Sequence, residues 1–437
     1  MSADSDVLID DRDRGLFRVR RRAMTNSAYL EREQAEVFGR SWLYVGHESE
    51  VPAPGDFVRR AVAGRQVVLV RGKDGQVRVL YNSCTHRGAM VFRQDRGNGE
   101  VFQCFYHGWT FDTTGRLRRV PADEAYGGCF AKEELGLSAP PRVEQYRGLW
   151  FMGLDTGLPS LAEYLDGVRG YIDLTMDSAE PLGGWEVIHG TADYQLKANW
   201  KIMVENSVDM YHFPTVHLTY ARFQTQRRHR AGEENPSANP QLDDSWGFST
   251  PNGHGGFIHS GPGRPIATES SAWSDKANEE VRRLRAILRD RYGEQRAADM
   301  ATRSRHLLIY PNTIMQDSPT GCRVRQVWPL AVDRARVVQW EFRPRQEMEE
   351  LTASRRAGSR AFLGPGGLGT PDDIEALESC QMGYSATADG WSDLSRGMTK
   401  KDAFSSDDEE QVRGFWRRWA AQVAAPADSG LVAGSAS

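Results

Sequence analysis

The chain has 437 residues, with 55 Lys and Arg against 59 Asp and Glu, so its charge of −4 offers no basic excess to draw nucleic acid or an anionic membrane. Apolar residues make up 39% and aromatic residues 10%, enough for a large core, while no run of about 20 apolar residues marks a membrane span. The polar, acidic start lacks the basic flank and apolar stretch of a secretory signal, so a cytoplasmic chain is expected, and the five cysteines are too sparse for a disulfide framework and better sought as metal ligands.

Residues 1–42 read as a charged lead-in followed by a helix, capped by Thr25 or Ser27 and carrying Leu30, Phe38 and Trp42, with Gly39 weakening its end. Residues 43–155 change character. Val67–Val70 and Val77–Leu80 flank Lys73–Gly75, and Trp109–Phe111 and Leu117–Val120 flank Thr113–Gly115, two hairpin signals in a small antiparallel β domain. Residues 156–425 mix helices and strands. Asn199 to His217 holds a helix over 200–212, and residues 225–270, rich in Gly, Pro, Asn and Ser, read as a long loop of the lid or binding kind. Residues 274–292 show helical spacing in Val281, Leu284, Leu288 and Tyr292, with the arginines of 282–291 on a solvated or intersubunit face. Val324–Leu330 and Arg336–Phe342 read as paired strands. Ser406 and Glu409 fit a capping box before an apolar stripe of Val412, Phe415, Trp416, Trp419 and Val423, most simply core packing. Residues 426–437 are Ala, Ser and Gly rich and read as a frayed tail.

Cys84 and His86, then Cys104 and His107, form the strongest chemical signal. Each pair follows a β segment, so two loops at one tip can converge two thiolates and two imidazoles. Such a set suits tetrahedral zinc, and it also suits a [2Fe–2S] centre in which two His replace two Cys on one iron. A zinc site usually pairs Cys with Cys and His with His along the chain; here each loop supplies one of each, which lets each loop clamp both irons. Neutral imidazoles raise the potential of the cluster and suit it to accepting an electron. Cys129, Cys322 and Cys380 have no matching partners and read as buried or unreactive.

A second constellation lies on the 200–212 helix, where Glu205, Asp209 and His212 recur at steps of four and three on one face. Pro214 interrupts any continuing helix, so His217 returns from a turn. Two His from such a break, with one distant carboxylate, can bind one face of a mononuclear iron and leave the opposite positions open. On its own the His212–His217 spacing also fits surface or core histidines. Asp372 and Asp373 offer the carboxylate. They also have a structural explanation, with Thr370 capping a helix, Pro371 at its first position and the acids complementing its dipole.

The residues around Cys84–Gly88 and Cys104–Trp109 resemble the ligand loops of Rieske proteins, and more closely the Rieske domain of aromatic-ring-hydroxylating oxygenase large subunits. Asn199 to His217 resembles the iron-binding helix of the same oxygenases, and Thr370 to Glu378 their third-ligand region, with the spacing to Glu378 favouring Asp373 over Asp372. The resemblance implies an α+β architecture: a small all-β Rieske domain and a helix-grip catalytic domain with a curved antiparallel sheet. It implies a [2Fe–2S] cluster on Cys84, His86, Cys104 and His107, and a non-haem Fe(II) on His212, His217 and Asp373. It gives Asp209 the role of linking His212 to His107 of the partner subunit in a trimer.

The implied reaction is cis-dihydroxylation of an aromatic ring with O₂ and electrons from a ferredoxin or flavin reductase. The Glu205 to His212 spacing and the Phe415–Trp419 ending look most like subunits acting on p-cumate, benzoate or salicylate, which an arginine gripping a carboxylate would suit. Pocket walls by resemblance are Val208, Leu218, Phe257, Ile309 and Ile314. A small β subunit in an α₃β₃ assembly is expected, with α₃ as the alternative. Monooxygenation or demethylation is the nearest other activity; a pure electron carrier and a zinc-stabilised binding protein are more distant ones.

Gly364, Gly366 and Gly369 fit G-x-G-x-x-G, but no buried strand precedes them and no βαβ unit surrounds them. No NAD site is therefore expected on this chain, and the segment reads as a flexible lead into the helix of Asp372 and Asp373. His254 and His259 read as loop residues, solvated or at a pocket entrance. His47, His189, His229 and His306 show no ligand pattern.

Overall fold

The computed structural model describes residues 7–230, 244–260, 268–318, 321–364 and 366–424. The tail expected over 426–437 lies outside the described residues, as do the side chains of His189 and His229. No helix among the described residues is long and apolar enough to cross a membrane.

The chain forms two compact units, and the smaller comprises Phe38–Tyr164 and Trp185–Ile188. Its strands pair antiparallel. Both expected hairpins form: Arg65–Arg71 pairs with Val77–Tyr81, and Thr110–Asp112 with Leu117–Arg119. Gly75 and Gly115 turn these hairpins at φ +78° and +85°, a region that glycine enters without a Cβ penalty. Leu43–His47 joins a third sheet beside Leu149–Gly153 and Arg142–Tyr146. Val68, Val70, Phe57, Phe92, Trp109 and Phe111 fill one core, and Cys84 and Cys104 belong to it.

The larger unit comprises Met1–Val37, Leu165–Gly184 and His189–Ser437. Its beginning differs from the expected lead-in. Leu8–Asp11 and Leu16–Arg20 form a hairpin that adds Trp391–Asp393 as a third strand. The alternation that buries Phe17 and Val19 carries it, in a strand too short to stand out from its arginines. The following helix, Ser27–Arg32, is capped by neither Thr25 nor Ser27; the side chain of Asn26 between them accepts from Ala28 N at 2.9 Å.

A seven-stranded sheet organises the rest, in the order Trp185–Leu196, Arg334–Pro344, Gly321–Ala331, Thr313–Ser318, Arg303–Ile309, Gly255–Ser260, Ser245–Ser249. Two of these strands lie inside the expected 225–270 loop. Their glycines explain both the misreading and the fold: a Cβ on Gly256 would strike the His306 carbonyl, and one on Gly255 would come within 3.2 Å of Gln411 Cα.

The register assigns every side chain to one of two faces. On one face Phe257 stands opposite His306, His306 opposite Gln316, Gln316 opposite Arg323, and Ile314 opposite Arg325. Helix Trp200–Ser207 covers this face, since Ser207 meets Arg325; helix Glu410–Ala424 packs beside it through Trp416 and Glu205. On the other face Arg305 pairs with Asp317 and reaches Thr175 of helix Arg169–Ala179. The sheet is thus gripped from both sides.

Helix Asp275–Tyr292 forms as expected, with Ser274 Oγ accepting from Ala277 N at 3.2 Å, Val281, Leu284 and Leu288 buried, and Arg282, Arg283 and Arg289 in solvent. The Val412–Val423 stripe is core, as expected. The capping box before it does not form. Glu409 adopts φ +58°, the helix starts at Glu410, and Ser406 Oγ instead meets Ser245 Oγ at 2.9 Å.

Candidate metal centres

Cys84 and Cys104 open loops built in the same way. Cys84 N donates to Ala89 O at 2.9 Å and Gly88 N donates back to Cys84 O at 2.7 Å; Cys104 N donates to Trp109 O at 2.7 Å and Gly108 N to Cys104 O at 3.0 Å. Gly88 and Gly108 close these turns at φ +74° and +75°, and a Cβ on Gly108 would also stand 2.9 Å from Pro121 Cγ. The thiols sit in the core at the base of the loops. Burial pushes the Cys84 thiol above its ordinary value; loop N–H groups oppose this and neighbouring Cys104 adds to it. A metal cation, which binds thiolate, reverses that preference.

The imidazoles belong to the same two loops. His86 stacks on Trp109 at 4.9 Å between ring centres and meets His107 edge-on at 4.5 Å, and His86 Nδ1 is buried with no partner. Tetrahedral zinc, with bonds of about 2.0–2.3 Å, gathers its donors within about 4 Å of one another. Among the described residues these four donors form no such group, while a pair of thiols and a pair of imidazoles suit two metal ions side by side.

Among the described residues a single trio of donors does gather: ligand atoms of His212, His217 and Asp373 all lie within 4.8 Å of one another. Asp373 Oδ1 stands 3.1 Å from His217 Nε2 and 3.5 Å from His212 Nε2. Asn206 Nδ2 donates to the same oxygen at 3.1 Å. Asp209 Oδ2 holds His212 Nδ1 at 3.0 Å. Burial opposes a charged His212, but the bond and charge of Asp209 outweigh it and raise the imidazole above its ordinary value. Burial likewise opposes the charge of Asp373, and the hydrogen bond and charge of His217 overcome it, holding the carboxyl low. Two imidazoles and a carboxylate are the donor set that suits a mononuclear iron.

The chain reaches this geometry by a route that differs from the expected 200–212 helix. The helix ends at Ser207, because Asp209 Oδ1 accepts from Tyr211 N at 2.7 Å and so closes a local turn in competition with the helix. Pro214 does not make the break; it lies in the first turn of the short helix Phe213–Val216, whose ends are flanked by His212 and His217. Helix Thr370–Ala386 delivers Asp373, and the two histidines meet Asp373 rather than Asp372. Thr370 is its first residue and not its cap; Thr370 Oγ1 accepts from Gly364 N at 3.1 Å. Gly367 and Gly369 are packed rather than a loose lead: a Cβ on Gly367 would stand 2.5 Å from the Phe362 carbonyl, and Phe362 packs 5.0 Å from His217 between ring centres.

The expected pocket walls separate. Phe257 and Ile314 lie on the helix-covered face of the sheet, and Val208 is buried just past Ser207. Ile309, opposite Thr313, is one residue out of phase and lies on the other face, and Leu218 is 46% exposed. His254 lies in the turn between Ser249 and Gly255 but is not solvated: it is buried, and its Nδ1 accepts from Tyr310 N at 3.0 Å. His306 and Arg325, which carry no motif, share the inner face with Phe257, and His306 stacks on that ring at 4.5 Å. Strand parity is the signal that would have found them. Cys322 is buried, whereas Cys129 and Cys380 are exposed.

Residues 182–425 match the family model of the ring hydroxylating alpha subunit (catalytic domain), and residues 41–146 match that of the Rieske [2Fe-2S] domain. The chain is 33% identical over 399 residues to the 2-halobenzoate 1,2-dioxygenase large subunit of Burkholderia cepacia, covering 90% of this chain and 83% of that one. It is 32% identical over 393 residues to the toluate 1,2-dioxygenase subunit alpha of Pseudomonas putida, covering 89% and 83%. In fold it is similar to naphthalene 1,2-dioxygenase with indole bound in the active site, with a TM-score of 0.80 over 97% of this chain and 95% of that one, at 24% identity.

Proposed function

Because this chain belongs to the ring-hydroxylating alpha-subunit family of Rieske oxygenases, we propose that it cis-dihydroxylates an aromatic carboxylate of the benzoate type. As an aromatic ring-hydroxylating dioxygenase it is an oxidoreductase with a [2Fe–2S] domain and a catalytic domain that binds mononuclear iron. The observation that carries the proposal is the convergence of His212, His217 and Asp373, in a chain about one-third identical to relatives named for halobenzoate and toluate.

The metal centres, when bound, supply activation of O₂ with two electrons, so that an aromatic ring, O₂ and two protons give a cis-dihydrodiol. The protein's part is geometry and protonation. His212 Nε2, His217 Nε2 and Asp373 hold the iron, and Cys84, His86, Cys104 and His107 hold the cluster. Asp209, bonded to Nδ1 of His212, fixes the tautomer whose Nε2 lone pair faces the iron. Asn206 turns the Asp373 carboxylate toward both histidines. Phe257, Ile314 and Val208 form the apolar wall for the ring.

Asp209 also bridges to His107 of the partner subunit, in a trimer completed by a small β subunit as α₃β₃, or as α₃ alone. A flavin reductase oxidises NADH and delivers the electrons, directly or through a ferredoxin, in the cytoplasm. The test is O₂ uptake by the iron-loaded, reductase-coupled protein with benzoate, halobenzoates and toluates under ¹⁸O₂. Two labelled oxygens on adjacent ring carbons are expected. One labelled oxygen, or loss of a methyl group, assigns a monooxygenase or demethylase instead.

A further inference from the structure

We propose that Arg325 is the residue that anchors the substrate's carboxylate, an inference that rests on the dioxygenase reading above. Arg325 is 4% exposed, on the inner face of the sheet between Ile314 and Gln339. Its Nε and Nη2 donate to Gln339 Oε1 at 3.2 and 3.1 Å, and its Nη1 to Ser207 Oγ at 3.4 Å. All of these acceptors are neutral. The other buried guanidiniums have an anion at hand: Arg305 has Asp317, Arg355 has Glu347, Arg413 has Glu410, and Arg323 lies in the field of Glu341. Among the described residues no carboxylate pairs with Arg325. A buried cation without an anion is strongly disfavoured, and the arrangement makes sense where a ligand brings the missing charge.

Its position is right for that ligand. Ser207, which Arg325 touches, follows Asn206, which donates to Asp373 at 3.1 Å. The Tyr194 hydroxyl is buried without a partner, and its phenol feels both Arg325 and Asp373. A benzoate whose ring lies along Phe257 and Ile314 can set both carboxylate oxygens on the guanidinium, with the Tyr194 hydroxyl as a further donor to one of them, leaving ring carbons toward the three ligands. Arginine's planar fork suits a carboxylate in two-point contact.

The test compares benzoate with its neutral isostere benzamide, by anaerobic calorimetric titration of the cluster-containing protein. Wild type is expected to bind benzoate more tightly than benzamide. Arg325→Gln is expected to lower the benzoate-to-benzamide affinity ratio by roughly 30-fold or more, since a charge pair is lost. Equal losses for both ligands, or an unchanged ratio, overturn the assignment. If Arg325→Gln fails to fold, Arg325→Lys keeps the charge without the fork and is expected to lower the ratio roughly tenfold; an unchanged ratio there overturns it too. O₂ uptake with neutral rings separates the two readings. A wild type that oxidises neutral rings and shows no preference for benzoate overturns the anchor and leaves the dioxygenase standing. One that oxidises no aromatic ring overturns the dioxygenase reading itself.

Discussion

Asp209 Oδ2 stands 3.0 Å from His212 Nδ1, on the edge of the imidazole away from the Nε2 that faces Asp373. One carboxylate therefore holds the ring from behind while another meets its far edge. Such an outer partner raises ligand basicity and fixes the tautomer.

Removing it is predicted to weaken metal binding without touching the cluster. Asp209→Ala should lose about 10- to 100-fold in Fe(II) affinity, measured by anaerobic titration, with the visible spectrum of the cluster unchanged. An affinity equal to wild type would show that His212 holds its orientation by packing alone.

Glu205 predicts a pH dependence of stability. It is half-buried beside Trp416, whose Nε1 donates to it. Burial pushes its carboxyl up to about 8; the Trp416 bond opposes this, and Glu409 and Asp209 add to it. An unfolded Glu ionises near 4.5, so between 4.5 and about 8 the unfolded chain has lost a proton that the folded chain keeps. Stability therefore falls as pH rises through that window and levels off above it. Glu409, pushed up to about 7 chiefly by burial, acts in the same direction. Glu205→Gln removes the larger part, so its melting temperature should fall less steeply from about pH 5 to 8 and exceed wild type at the upper end. A parallel curve would mean that Glu205 is ionised in the folded protein.

The two centres belong to separate compact units, which predicts that they fail separately. Cys104→Ser replaces a soft thiolate with a hydroxyl that iron–sulfur clusters do not favour. Iron should drop from about three per chain to about one, with sulfide and red-brown colour lost, while Fe(II) still binds at His212, His217 and Asp373. Loss of that remaining iron as well would contradict the independence of the two units.

How far the sequence could be read depended on how local each feature is. The cluster loops were legible because their donors and closing glycines, Gly88 and Gly108, lie within four residues of each cysteine. The helix over 200–212 was drawn too long because nothing in its periodicity reveals that Asp209 turns on its own backbone at Tyr211. The strands Ser245–Ser249 and Gly255–Ser260 looked like loop because glycines chosen for close backbone approach also mark turns. The sequence of one strand does not reveal that Ile309 and Ile314 face opposite sides of the sheet, or that Arg325 lies on the inner one. Both follow at once from register, a long-range property that pairs Ile314 with Arg325.

The glycines on either side of Asp373 give opposite predictions. Gly367 lies in the turn before the helix, where its N donates to Gly364 O at 3.0 Å. A Cβ there meets the Phe362 carbonyl carbon at 2.5 Å, a backbone atom that cannot swing aside as a side chain could. Gly367→Ala should cost about 1–3 kcal/mol by overpacking and shift the turn that starts the Asp373 helix, so iron is lost more readily. Gly383, ten residues after Asp373 on the same helix, has nothing within 4 Å of its notional Cβ. Gly383→Ala should stabilise the protein by about 0.5–1 kcal/mol through helix propensity alone and leave iron affinity unchanged. Denaturant unfolding and Fe(II) titration of the pair check both signs. If both substitutions stabilise, the 364–369 segment does not pack on Phe362, and the position of Asp373 must be set by Asn206 and the histidines alone.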